Sequence, residues 1–317
     1  NAAGYISEEQ VNDETLRTEQ AENAENDGGD KQFYSQKIDI NHNFNEDLRL
    51  LLFSYAVQQN FTRFAKFGFD PGGQTERYNT RNVFATGATL NGKSKLAEVE
   101  LDWVAGAEFY TETTDRKRWS TSERVRNEQI LDRVFDVQTL SAYLQGVFDI
   151  NIYFKPSIGI RYDSFSGSFN NNDPGVQPFT NDIDQLSNVT PKFGLRSNPL
   201  EDLDIRLSVS NGFSLPNSTR KYEEDADLDP TQLWQYELGA NYALSDWLEL
   251  DVVGFILDTS NEILESPPGS GDFLNIGKTR RTGIETEAII KPSLSWKIVG
   301  TFSYTETEVL ENPDDDL

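Results

Sequence analysis

Residues 96–110 alternate with a period of two, and one of the two faces is fit for hydrocarbon. Ala97, Val99, Leu101, Trp103, Ala105, Ala107 and Phe109 fall on that face, while Glu98, Glu100, Asp102, Glu108 and Tyr110 fall on the other. A period of two places successive side chains on opposite sides of a sheet. Segments of about ten such residues, separated by turn residues, mark a transmembrane β-barrel with a wet interior. The chain is therefore expected to be all-β, an antiparallel barrel wall with lipid on one side and water on the other.

The composition fits this and excludes other classes. Mean hydropathy is −0.60 and 36% of residues are hydrophobic, too polar for helices through a membrane. The best apolar run, Leu50–Phe53, is far short of the roughly 18 residues a spanning helix needs. A barrel escapes that demand because only alternate residues meet lipid. With no cysteine there is no disulfide framework, thiolate metal site or thiol nucleophile. A net charge of −25 argues against nucleic acid, which is bound through Lys and Arg. Much of the acid lies in the candidate loops, and segment 1–30 sets nine carboxylates, from Glu8 to Asp30, against Arg17. The chain opens on Asn1, holds no methionine and shows no export signal at its start, so it is expected to be a piece of a longer reading frame.

The same pattern returns after each break. Ile152, Phe154, Pro156, Ile158, Ile160 and Tyr162 oppose Lys155, Ser157, Gly159, Arg161 and Asp163. Val189, Pro191, Phe193 and Leu195 oppose Thr190, Lys192, Gly194 and Arg196. Leu203, Ile205, Leu207 and Val209 oppose Asp204, Arg206, Ser208 and Ser210, and Trp234, Tyr236, Leu238, Ala240 and Tyr242 oppose Gln235, Glu237, Gly239 and Asn241. Short connections are expected at 45–47, 91–94, 149–151, 198–202, 244–246 and 291–293, and long ones near 67–75, 113–135, 166–187, 213–231 and 260–273. Outer-membrane barrels keep short turns on the periplasmic side and long loops outside. Trp247 and Trp296, just past short turns, suit an interfacial aromatic girdle. About twelve strands are expected over 32–309, with 1–31 and 310–317 as extracellular loop. Both ends would then lie outside the cell, so at least one further strand is expected at each end, and the chain reads as the interior of a larger barrel.

Several runs resemble one family. Pro156-Ser157-Ile158-Gly159-Ile160-Arg161-Tyr162-Asp163, Thr190-Pro191-Lys192-Phe193-Gly194-Leu195, Asn211–Asn217, Tyr236-Glu237-Leu238-Gly239, Asn275-Ile276-Gly277-Lys278 with Thr282–Glu287, and Gly300–Thr307 follow one another like the barrel motifs of TonB-dependent outer-membrane receptors. Gly4–Ser7 and Tyr110–Trp119 resemble the branch of ferric-citrate and ferric-siderophore receptors. The resemblance implies a 22-strand barrel occluded by an N-terminal plug, with energy supplied by the TonB complex through that plug. Neither the plug nor the last strand lies in this sequence. It further implies capture of a scarce ligand, such as a ferric siderophore or ferric citrate, at the outer membrane of a Gram-negative bacterium. Haem, cobalamin, a glycan or a hydrophobic compound stay open as cargo, as does a passive porin-like channel.

Candidate chemistry is sparse. His42 falls on the apolar register with Ile38, Ile40 and Phe44, away from any nucleophile, so an enzyme is not expected. Pro71-Gly72-Gly73 and Pro268–Asp272 lack the strand-to-helix setting of a phosphate cradle, and Glu223–Asp229 lacks the glycine and closing glutamate of a calcium loop. No cofactor or metal site is implied. Tyr110, Arg116, Arg118 and Trp119 are the candidate ligand contacts, since Arg forks suit the carboxylates of an anionic chelate. Salt bridges to acidic loops, or to lipopolysaccharide phosphates beside the membrane lipid, are the plainer use of these arginines. Lys155, Arg161, Arg196, Arg206, Glu237, Glu285 and Glu287 are expected to face the lumen and the plug.

Overall fold

A computed structural model of the protein describes residues 12–14, 26–66, 73–216, 228–265 and 273–311. Twelve strands form one sheet: β1 (Gly28–Asn43), β2 (Leu48–Ala65), β3 (Gln74–Leu96), β4 (Val99–Ser122), β5 (Val125–Asp149) and β6 (Lys155–Asn171) in its first half. The second half holds β7 (Phe179–Leu200), β8 (Leu203–Ser214), β9 (Thr231–Ser245), β10 (Leu248–Glu265), β11 (Phe273–Ser293) and β12 (Trp296–Glu311). Each strand pairs antiparallel with the next, and β1 and β12 are not paired with each other among the described residues. The expected first and last strands, and the open edges, are thus present in this arrangement.

The alternation becomes two continuous faces. Ile158 stands opposite Phe193, Phe193 opposite Val209, Val209 opposite Tyr236 and Tyr236 opposite Ile256. These apolar side chains have no core to enter: Ile158 and Leu238 are each 60% exposed. An apolar row of this length left open is not a surface made for water. The opposite face carries the lumen candidates, Lys155, Arg161, Arg196, Arg206, Glu237, Glu285 and Glu287, with Ser303 opposite Glu285 and Asp251 opposite Glu287.

Three expected connections are corrected. The reversal expected at Asn91–Ser94 lies instead at Ala97-Glu98, between β3 and β4, with Ala97 at φ 57°. Residues 113–122 are strand rather than loop, and β4 and β5, 24 and 25 residues long, meet at a two-residue turn, Glu123-Arg124. Both turn residues are left-handed, at φ 50° and 68°, as a type I′ hairpin demands. Neither is glycine, and hydrogen bonds offset the strain. The Arg124 amide donates to Gln74 Oε1 at 2.9 Å, and its guanidinium donates to the carbonyls of Asn26 and Asp27. The expected 166–187 loop likewise shrinks to the stretch between Asn171 and Phe179. Runs 217–227, 67–72 and 266–272, which hold most of the acidic and glycine-rich segments, lie outside the described residues.

Asn91-Gly92 reads as turn chemistry, yet Gly92 serves to seat an indole. A Cβ there would lie 2.2 Å from the Trp103 ring, which covers Gly92 from the next strand on the apolar face. Phe53 over Gly87, Tyr143 over Gly106 and Phe255 over Gly283 repeat the device on the polar face. Gly92→Ala should therefore cost about 1–3 kcal/mol through overpacking. Urea unfolding of the folded receptor in vesicles measures this, and an unchanged midpoint would remove the close contact from the account.

The largest buried apolar cluster lies on the polar face, beyond the apolar band. Phe135, Phe169 and Ile183 are 5%, 0% and 3% exposed, with Val137 and Phe165 packed against them. They occupy the far ends of β5, β6 and β7, away from the tight turns. There the wall supplies its own core.

Candidate functional site

The ligand candidates stand on the far half of β4, which the Thr-rich run Thr111-Glu112-Thr113-Thr114 extends as β-branched strand. Tyr110, Arg116 and Arg118 share the polar face, and Trp119 falls on the opposite one. The four therefore do not converge. Trp119 joins a separate outward group: the Arg126 guanidinium lies 3.7 Å from its ring centroid and donates to both carboxylate oxygens of Glu76 at 2.7 and 2.8 Å. That forked contact holds the Arg126 pKa above its ordinary value.

Tyr110 is held by two residues the sequence reading passed over. Arg81 donates through Nε and Nη2 to Glu112 at 2.8 and 2.6 Å and through Nη2 to Tyr110 Oη at 3.2 Å, while Tyr110 donates to Glu112. Burial disfavours charge on Glu112, but hydrogen bonds from Arg81, Tyr110 and Thr114 outweigh it and hold the carboxyl below its usual range. Arg116 lies 5.8 Å from the Phe135 ring, at the edge of the apolar cluster. Nearby, Arg133 donates to Asp173 at 2.6 and 2.8 Å, tying the β6–β7 turn to β5. The far end of the polar face thus presents an arginine-rich, aromatic wall.

Nearer the tight turns the wall carries laddered ion pairs. Arg161 donates to Asp163 at 2.9 Å and to Glu108 at 3.3 Å, with its carbon 5.6 Å from the Tyr143 ring. Asp163 also accepts from Ser141 at 2.5 Å. Lys155 pairs with Asp149 at 3.0 Å, Arg196 with Asp204, and Arg206 with Asp251 at 2.6 Å. Exposed pairs of this kind contribute about 0–1 kcal/mol each, so they set the shape and charge of the wall more than its stability. Glu285 and Glu287 line a cavity of about 520 Å³ with Arg206, Asn241 and Asp251, and Glu237 accepts from Gln235 at 2.6 Å.

His42 lies on the apolar register, its ring edge-on to Phe44 with centroids 4.7 Å apart. Among the described residues no group of three or more His, Cys, Asp or Glu side chains is placed to hold a metal. Among the described residues no helix is long and apolar enough to cross a membrane.

Comparison with known proteins agrees with this geometry. The family profile described as "TonB dependent receptor-like, beta-barrel" matches residues 2–316. The siderophore receptor PiuA from Acinetobacter baumannii superposes with a TM-score of 0.72 at 16% identity, over 90% of this chain and 48% of that one. Ferric citrate transporter FecA in its unliganded form gives 0.75 at 15% identity, over 90% and 44%. The ferric-catecholate import receptor Fiu from Escherichia coli K12 gives 0.69 at 15%, over 91% and 49%. The chain thus spans about half the length of the solved receptors it matches. Its fold and the extent of the profile match place it: the chain belongs to the TonB-dependent receptor β-barrel family.

Proposed function

We propose that this chain forms about half of the barrel wall of an outer-membrane receptor that imports an anionic ferric chelate, a siderophore or citrate complex, with TonB-supplied energy. The observation that carries the reading is the arginine-rich wall at the far end of the polar face, where Arg81, Arg116, Arg118 and Arg133 sit on a protein of net charge −25. An otherwise acidic mouth would repel an anion, and clustered cations reverse that locally. The apolar face meets membrane lipid, and the tight turns face the periplasm. Trp119 and Arg126 then look outward, toward lipopolysaccharide, rather than over the cargo. Glu237, Glu285 and Glu287 face a plug domain in the lumen, while β1 and β12 pair with strands beyond this segment.

Replacing Arg116 and Arg118 together by alanine in the whole receptor tests the proposal. Charge-assisted contacts are worth about 1.5–3 kcal/mol each, so affinity for the cognate ferric chelate should fall roughly tenfold to a hundredfold for each one lost. Unchanged binding and uptake of every ferric citrate, catecholate and hydroxamate tried would overturn it.

A further inference from the structure

One part of the polar face sets like charges side by side. Lys155 stands directly opposite Arg196, and Arg196 directly opposite Arg206, so three cations share one row across β6, β7 and β8. Like charges placed opposite one another in a sheet destabilise it. Two of their three carboxylate partners lie toward the tight turns. Asp204 and Asp251 flank Asn241 in the next row toward the tight turns, and Asp149 ends β5. Asp204 also accepts from Asn198 Nδ2 at 3.0 Å, and Asp251 from Asn241 Nδ2 at 3.3 Å.

On the other side of the cations the floor is small and uncharged. The next row is Ser157, Gly194 and Ser208, and the one beyond it Gly159, Lys192 and Ser210. Ser157 Oγ lies 2.5 Å from where a Cβ on Gly194 would sit, so only glycine leaves that hydroxyl its place. Lys192 is exposed, and the side chains of Arg196 and Arg206 are 64% and 44% exposed. On β6–β8, four cations therefore frame a floor of serine hydroxyls and glycine that holds no carboxylate. Glu237, one strand further on, bounds it.

We infer that this floor is an anion recess on the lumen wall, taking a small solute rich in carboxylate or phosphate oxygens. Hydroxyl and Lys or Arg donors around a water-filled depression are what such oxygens bind. The recess lies nearer the tight turns than Arg116 and Arg118, so it would hold an anion after the mouth has released it. This rests on the polar face being the lumen wall. A carboxylate from a domain filling the lumen is the competing occupant.

These 317 residues hold no cysteine, so an introduced one is the single thiol of this segment, and the test uses the full-length receptor with any cysteine elsewhere replaced by serine. Ser208→Cys is reacted with an anionic and a cationic methanethiosulfonate of similar size, each normalised to its rate with a free thiol. A wall potential of several kT should favour the anionic reagent about tenfold or more. Thr301→Cys, in register with Glu287, should favour the cationic one. Lys192→Gln with Arg196→Gln should abolish the preference at Ser208→Cys, and millimolar citrate or inorganic phosphate should slow its labelling. A cationic preference at Ser208→Cys, or no slowing by either anion, overturns the recess. No labelling by either reagent in folded receptor assigns the floor to a lumen domain and also overturns it. A nitroxide at residue 208 separates the two claims: water-like accessibility supports the lumen wall even if the anion site fails.

Discussion

Phe169→Ala should loosen the far ends of β5–β7 while leaving the membrane part of the barrel folded. Phe169 is fully buried, with its ring centroid 4.8 Å from that of Phe135 and 5.9 Å from that of Phe179. Removing a buried phenyl costs about 3–5 kcal/mol, because the lost transfer energy is joined by the cavity left behind. Among the described residues no helix packs on this part of the wall, so the loss should appear as local opening rather than global unfolding. Amide exchange over 133–137 and 165–171 should accelerate about a hundredfold or more, with 140–148 and 156–162 unchanged. Acceleration below tenfold would mean the cluster is not the core of the extension. Collapse of the whole sheet would mean that the two parts are not separable.

Leu144→Arg is expected to cost about 2–4 kcal/mol of insertion stability, since an arginine on the lipid face near the midplane carries that penalty. Leu144 pairs with Ala105 and Ile160, central in the apolar band, and is 53% exposed. Leu101 lies two residues from the start of β4, where the same change should cost only about 0–1 kcal/mol. Gln145→Arg, one residue along and on the opposite face, should cost little. Unfolding titrations in lipid vesicles supply all three values. Equal costs at 144 and 145 would remove the distinction between the faces.

What could be read in advance followed the apolar rows. At Ile158, Ile160, Leu207 and Leu238 the period of two agrees with the cross-strand register. Beyond those rows the alternation fades. Thr113–Ser122 is polar but for Trp119, so little except its threonines marked it as strand and it read as loop. That error made Arg116, Arg118 and Trp119 look like one loop cluster, whereas a strand must send Trp119 to the other side. Arg81 and Glu112 were passed over because their value lies in a cross-strand contact 31 residues apart. Asn91-Gly92 misled for another reason. The glycine is there for the indole of Trp103, and no local pattern separates that use from a turn.

The central claim is that one face of this sheet meets lipid and the other an aqueous lumen. A nitroxide scan through residues 140–148 of β5 in the membrane-embedded receptor measures it most directly. Positions 140, 142, 144, 146 and 148 should show high oxygen and low nickel-chelate accessibility, and 141, 143, 145 and 147 should show low oxygen accessibility, a strict period of two. A period near 3.6, or equal accessibility at neighbouring positions, would contradict the account.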